Sequence, residues 1–271
     1  MVPQLKLHVL ASGSKGNAAI VENASTGEGV LVDCGLCKRD FFARCAEAGF
    51  DPARLSGILV THEHTDHTKC LGVVVRGLAK LGVAPALYAS AEVRAASAEV
   101  RQVEDALDLH PLQAGDALSL AGMQVHVFPT SHDAAASFGF RFEAGAPGAA
   151  DALGFMTDTG VVTGAAHEAL RDCRVLALEG NHDAHLLETG PYPYPLKRRI
   201  ASDRGHLSND QAAAELETLL CDRLEHVVAL HVSENNNTYR LPQEAFAAVI
   251  ARHGAAVQVA CGYQRLLTSV G

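Results

Sequence analysis

The segment GILVTHEHTDH, residues 57 to 67, places His62, His64, Asp66 and His67 within six positions, directly behind an apolar run. Imidazoles crowded together repel when protonated and must be desolvated when buried. Packing alone gives a chain no reason to gather three of them. A transition-metal site does, because it needs several neutral imidazoles and carboxylates converging on one point. One ion cannot readily use all four donors. In a loop after a strand, His62 and His64 are two positions apart and can point the same way, leaving Asp66 and His67 to turn toward a second ion.

Further donors stand at the ends of other apolar runs: His132 in FPTSHDAA, Asp158 in MTDTG and His231 in ALHVSENN. They complete two sets, His62, His64 and His132 on one ion and Asp66, His67 and His231 on the other, with Asp158 positioned to bridge. Two ions ~3.5 to 4 Å apart can hold a hydroxide between them and clamp an oxyanion. Mixed nitrogen and oxygen donors suit Zn²⁺ and Mn²⁺ alike, so the expected cofactor is two divalent ions of either kind.

The runs LKLHVL, AAIVE, GVLVD, GILVT, PALYA, MQVHVF, SFGFRF, LGFMTD, RVLALE, HVVALH and AVQVA have the composition of strands. Helical spacing occupies 38 to 48, 91 to 101, 208 to 220 and 242 to 252, and Ser208 followed by Gln211 has the capping-box arrangement. The result is a mixed α/β chain in which several strand ends deliver donors to one edge of a sheet. No Pro/Gly/Ser-rich linker divides it, and GAPGAAD at 145 to 151 is short enough to be a hairpin turn. Residues 1 to 271 are therefore expected to form one domain, with 48% apolar content sufficient for a core.

A formal net charge of −9 argues against coating nucleic acid by bulk electrostatics. A local patch is still available in Lys197, Arg198, Arg199 and Arg204. The seven cysteines are an odd number in apolar surroundings, which suits reduced thiols, and Cys34 and Cys37 have no second pair at zinc-ribbon spacing. Residues 1 to 10 lack a signal-peptide pattern, and no stretch approaches the ~20 apolar residues of a membrane span. These features predict a cytoplasmic protein with no membrane contact.

The motifs HEHTDH, SHD, MTDTG and the late LHVS resemble those of the metallo-β-lactamase superfamily. That resemblance implies an αββα sandwich with a dinuclear site at one edge of its two sheets. More narrowly, LASGSKGNAAIVE, VDCG, THEHTDH, SHDAAASFGF, TDTG, LEGNHD, YPYPLKRRI, GHLSND and LHVSENNNT resemble the WalJ (YycJ) branch, which implies a 5′ to 3′ DNA exonuclease. One departure is Gly180 in LEGNHD, where the branch leads one to expect alanine.

Two metals alone do not select phosphodiester over ester, thioester or lactam hydrolysis. GHLSND is similar to the late Gly-His-Ser or Thr motif of tRNA 3′-processing endonucleases in the same superfamily, whose histidine serves the leaving oxygen. The similarity makes His206 a general acid, useful because an alkoxide leaves poorly without a proton, and Glu179 of LALEG its carboxylate partner. Asp66 would both ligate an ion and orient, or take a proton from, the attacking metal-bound water. Arg198, Arg199 and Arg204 are expected to clamp flanking phosphates of DNA, and His182 and Asp183 to line the site. GSKGN at 13 to 17 reads equally as a strand-connecting turn or a phosphate cradle, although it is not a Walker A pattern. Asn235, Asn236 and Asn237 either position substrate or build a turn. The expected function is a dinuclear-metal phosphodiesterase acting on DNA. Hydrolysis of a small phosphodiester or thioester is the alternative, and a catalytically silent metal-folded binding module is a third reading.

Overall fold

A computed structural model describes residues 4 to 146 and 150 to 271. In chain order the strands are β1 (Leu5–Ala11), β2 (Ala18–Asn23), β3 (Glu28–Val32), β4 (Leu55–Leu59), β5 (Ala86–Ala89), β6 (Leu109–Pro111), β7 (Ala117–Leu120), β8 (Met123–Pro129), β9 (Phe138–Ala144), β10 (Asp151–Met156), β11 (Val175–Glu179), β12 (His226–Leu230), β13 (Gln258–Cys261) and β14 (Thr268–Val270). They form two seven-stranded sheets, ordered β14-β1-β2-β3-β4-β5-β6 and β13-β12-β11-β10-β9-β8-β7. Every apolar run read as a strand is one. The strands not foreseen, β6, β7 and β14, are three or four residues long, too short to show a period of two.

The helices are α1 (Lys38–Ala48), α2 (Thr65–Thr68), α3 (Leu71–Ala79), α4 (Ala91–Ala96), α5 (Ala98–Arg101), α6 (Gly164–Leu170), α7 (Ala184–Thr189), α8 (Tyr194–Ile200), α9 (Asn209–Leu219) and α10 (Arg240–Arg252). The capping box at the start of α9 is formed in both directions between Ser208 and Gln211. The single helix expected over 91 to 101 is broken: Ser97 takes an extended conformation, ends α4, and caps α5 by accepting from the Val100 N–H. Its hydroxyl offers the backbone an alternative to continued helix.

Alternation along the strands sorts the core into layers. Leu7, Val9, Val21, Val30 and Val32 of one sheet meet Val125, Phe140, Phe142, Leu153, Phe155 and Val228 of the other. Removing the fully buried Phe140 ring would open a cavity between the sheets at a cost of about 3–5 kcal/mol. On the outer faces, Ile20, Leu31 and Ile58 pack on α1 and α3, while Leu176, Leu178, Val227 and Ala229 pack on α6, α9 and α10. The architecture is the αββα sandwich. β9 and β10 are antiparallel neighbours joined across the expected turn, of which residues 147 to 149 lie outside the described residues.

The layout also creates the site. β3 and β4 run parallel in one sheet and β10, β11 and β12 run parallel in the other, and the donor-bearing loops follow their C-terminal ends.

Candidate metal centre

The loop after β4 and the short helix α2 carry HEHTDH, and their donors meet residues from the second sheet. One donor atom each from His62, His64 and His132 lies within 4.8 Å of the others, and the same holds for Asp66, His67 and His231. The Asp158 carboxylate stands between the two sets. Its Oδ2 is 3.3 Å from His67 Nε2, and its Oδ1 is 3.8 Å from His132 Nε2 and 3.4 Å from His231 Nδ1. Within the sets, His132 Nε2 is 3.3 Å from His64 Nδ1, and Asp66 Oδ2 is 3.4 Å from His231 Nε2.

The supporting contacts fix which ring nitrogens face inward. His67 Nδ1 is 2.7 Å from Asp33 Oδ2, and His132 Nδ1 is 2.9 Å from the Gly205 carbonyl, so each ring presents Nε2 to the centre. His62 has Nδ1 2.9 Å from the Thr61 hydroxyl, while its Nε2 is buried with no hydrogen-bond partner among the described residues. A buried donor or acceptor left unpaired is costly. A cation beside this nitrogen removes that cost, and the residues present therefore fit a metal.

Electrostatics point the same way. Burial would lower the pKa of His67, but the carboxylates of Asp158, Asp33 and Asp66 outweigh it and lift it to about 9. His231 is likewise raised against burial, by Asp158, Asp66 and Glu179. Burial acts to raise Asp66, yet the His67 and His231 imidazoles hold it well below the usual carboxylate range. His62 is driven down by burial and by its imidazole neighbours His67, His132, His64 and His231. The pocket thus holds more negative charge than its neutral imidazoles can balance, and divalent cations can take the place of the protons. Asp33, Asp158 and His231 also adopt left-handed backbone angles, with φ of 61°, 54° and 53°. Such conformations cost about 1–3 kcal/mol each and gather at functional sites.

His206 follows α8 and faces the same cleft. Its Nδ1 is 2.7 Å from Glu179 Oε1, and Glu179 is fully buried at the end of β11. Glu179 Oε1 also lies 3.2 Å from His231 Nδ1, and its Oε2 accepts from the Thr159 and Leu207 N–H groups. The cleft, about 220 Å³, is lined by His64, Asp66, Asp158, Arg199, His206 and His231, among others.

Of the expected substrate residues, Arg199 is at this cleft and Arg198, Arg204, His182 and Asp183 are not in its lining. Arg199 lines the cleft and is ion-paired with Asp133. Arg198 sits 6.0 Å from the Tyr194 ring and, with His182 and Lys197, lines a separate cleft of about 440 Å³ on another face of α8. Arg204 donates to the His132 carbonyl. Asp183 caps α7 by accepting from the Leu186 N–H. Asn237 braces two loops by donating to the Gly180 and Asn181 carbonyls, and Asn235 donates to the Tyr192 hydroxyl. Gly180 reflects packing, since a Cβ there would meet Pro242 Cβ at 2.9 Å.

The reading from sequence assigned no role to Asp33 or Asn17. Asp33 was visible only as another carboxylate at a strand end, in VDCG. Asn17 closes the GSKGN loop through Gly13 and brings its amide to 2.9 Å from His67 Nε2. Gly16 in that loop has φ 147°, and a Cβ would lie 2.4 Å from the Gly35 carbonyl oxygen.

Comparison with known proteins agrees with the fold. Residues 28 to 232 match the beta-lactamase superfamily domain. The chain is 32% identical over 253 residues to exodeoxyribonuclease YycJ of Bacillus anthracis, covering 93% of this chain and 92% of that protein. It is 32% identical over 258 residues to exodeoxyribonuclease WalJ of Streptococcus pneumoniae, covering 94% and 91%. The crystal structure of human tRNase Z, short form, superposes with a TM-score of 0.67 at 16% identity, covering 98% of this chain and 99% of that one. A domain match over most of the chain, full-length relatives and a shared αββα sandwich together make this protein a WalJ-like member of the metallo-β-lactamase superfamily.

Proposed function

We propose that the protein is a DNA exonuclease, degrading strands 5′ to 3′ with two divalent ions, Mn²⁺ or Zn²⁺. The observation that carries the phosphodiesterase reading is the His206–Glu179 pair facing the donor cluster across one cleft. The curated relatives, both named exodeoxyribonucleases, support DNA as the substrate. Charge supports more than one ion: Asp33, Asp66, Asp133, Asp158 and Glu179 are five carboxylates in contact with the donor rings, more than one divalent ion neutralises. His62, His64 and His132 would hold one ion, and Asp66, His67 and His231 the other, with Asp158 between them. When bound, the ions lower the pKa of water and stabilise charge on the phosphate's non-bridging oxygens.

The chain's own groups then have distinct tasks. Asp66, kept ionised by its neighbours, orients the attacking water and can accept its proton. Glu179 accepts the His206 Nδ1–H, which leaves Nε2 to carry a proton toward the departing oxygen. Arg199, in the cleft wall, can exchange Asp133 for a phosphate oxygen. The seven free cysteines support a reducing, cytoplasmic setting.

Digestion of end-labelled linear and circular DNA and RNA with Mn²⁺, Zn²⁺ or Mg²⁺ tests the proposal. Release of label as mononucleotides from 5′-labelled linear DNA, with circular DNA left intact, is expected. Cutting of circular DNA, or no attack on linear DNA with any metal, defeats it.

A further inference from the structure

A second cleft, about 640 Å³, opens on the Asp66 side of the metal centre, between the GSKGN loop, α1, the end of α2 and the segment after β13. Ser14 lines the metal cleft and its neighbour Lys15 lines this one, so a single loop forms the wall between them. On a protein of net charge −9 the lining is cationic: Lys15, Arg39, Arg44, Lys69 and Arg265 against Asp40 and Glu47.

Most of that positive charge lacks an acidic partner. Arg44 is buried, at 8% exposure, and its guanidinium donates only to the carbonyls of Leu10 and Gln264. Lys69 donates to the Lys15 carbonyl, and Arg265 is exposed and makes no hydrogen bond or ion pair among the described residues. Asp40 is engaged by Arg39, and Lys15 pairs with Glu234 outside the cleft. Asp40 and Glu47 lie close enough to act on Arg44, but against the five cations they leave the lining with an excess of positive charge, which an anion in the cleft would offset. No aromatic ring lines the cleft, so it offers phosphates their counter-charges and gives bases no surface to stack on.

We infer that this cleft binds the sugar-phosphate backbone of the DNA strand beyond the scissile phosphate, on the side of Asp66 away from α8, without reading its bases. The inference rests on the nuclease reading above and adds where the uncleaved strand lies. It makes affinity depend on strand length and independent of sequence.

The test uses the metal-loaded protein and its R39E/R265E variant, which changes two exposed side chains remote from the metal donors. Fluorescence anisotropy would follow a phosphorothioate single strand across a salt series. The variant should bind a strand of about 20 nucleotides at least tenfold more weakly, with the slope of log affinity against log salt reduced by about 1.4. Metal content and hydrolysis of bis(p-nitrophenyl) phosphate, too small to reach the cleft, should be unchanged. Equal strand affinity and salt slope in the two proteins would overturn the inference while leaving the nuclease reading intact. So would equal losses on the strand and the small diester, since the variant would then be acting at the metal centre. A wild-type protein that neither binds nor cuts any strand would overturn both.

Discussion

Lys197, Arg198, Arg199 and Arg204 lie within eight consecutive positions and do not converge, Lys197 and Arg198 lining one cleft and Arg199 another, whereas Asp33, His62, Asp158, Glu179 and His231, scattered along the chain, meet at one sheet edge. The difference is geometric. Parallel strands end together, so residues just past their ends share a location however far apart they are in sequence. A helix turns about 100° per residue, so a run of cations on α8 cannot all face one cleft. Arg198 and Arg199 are neighbours in sequence and line different clefts. Density of charge along the chain is therefore a poor guide to charge in a site, and residue type at strand ends is a good one.

The comparison breaks most readily at its converging half. Asp158→Ala removes the one carboxylate that faces both donor sets, and should abolish nuclease activity and leave fewer than two ions per chain. Metal analysis after reconstitution reads the second effect, and full metal content with full activity would show that the two sets do not depend on a shared carboxylate. His206→Ala should retain its metal but cleave DNA about 10²- to 10⁴-fold more slowly, the usual contribution of a positioned general acid. A substrate whose leaving oxygen is replaced by sulfur needs no proton and should recover most of that rate. Absence of such rescue would leave His206 a structural residue.

Asp33→Asn tests whether a residue that only touches a donor matters. It keeps a side chain tolerant of the left-handed backbone but removes the charge on His67 Nδ1, so metal affinity should fall about 10- to 100-fold. A competition titration against a chelator measures this. The carboxylates around His67, Asp158 first and then Asp33 and Asp66, set a pH dependence in the metal-free protein. A His67 pKa lifted to about 9 contributes stability that is complete below the unfolded imidazole value of about 6.5 and is lost as pH rises through 9. The apoprotein's Tm should decline over that window and the metal-loaded protein's should not.

The diverging half predicts smaller and unequal effects. Arg199→Ala should raise the KM for DNA about tenfold, the worth of one charge-assisted hydrogen bond, whereas Arg198→Ala should change it little. Equal effects from the two would mean that α8 presents its cations to one strand after all.

Much of this was legible before any coordinates. The apolar runs report their strands because a period of two is local, and the donors of HEHTDH, His132, Asp158 and His231 report themselves because few other arrangements justify so many imidazoles after strand ends. The helix break at Ser97 was not legible, since an N-capping hydroxyl and a mid-helix serine are the same residue until the backbone has chosen. Nor was the fate of GSKGN, whose glycine conformation depends on the Gly35 carbonyl.

Residue type and spacing alone specify the strands, the strand ends at which the donors gather and the chemistry of those donors, and the αββα layering is legible through the resemblance of the motifs to a known family. That Asp33 buttresses His67, that Arg204 holds the His132 carbonyl in place, and that Arg44 lies buried beside a second cleft emerge only once the chain has folded. Each of these depends on the distance and direction between groups brought together by sheet pairing and helix packing. Coulombic and hydrogen-bond energies vary steeply with both, and neither quantity is defined until the chain has closed on itself.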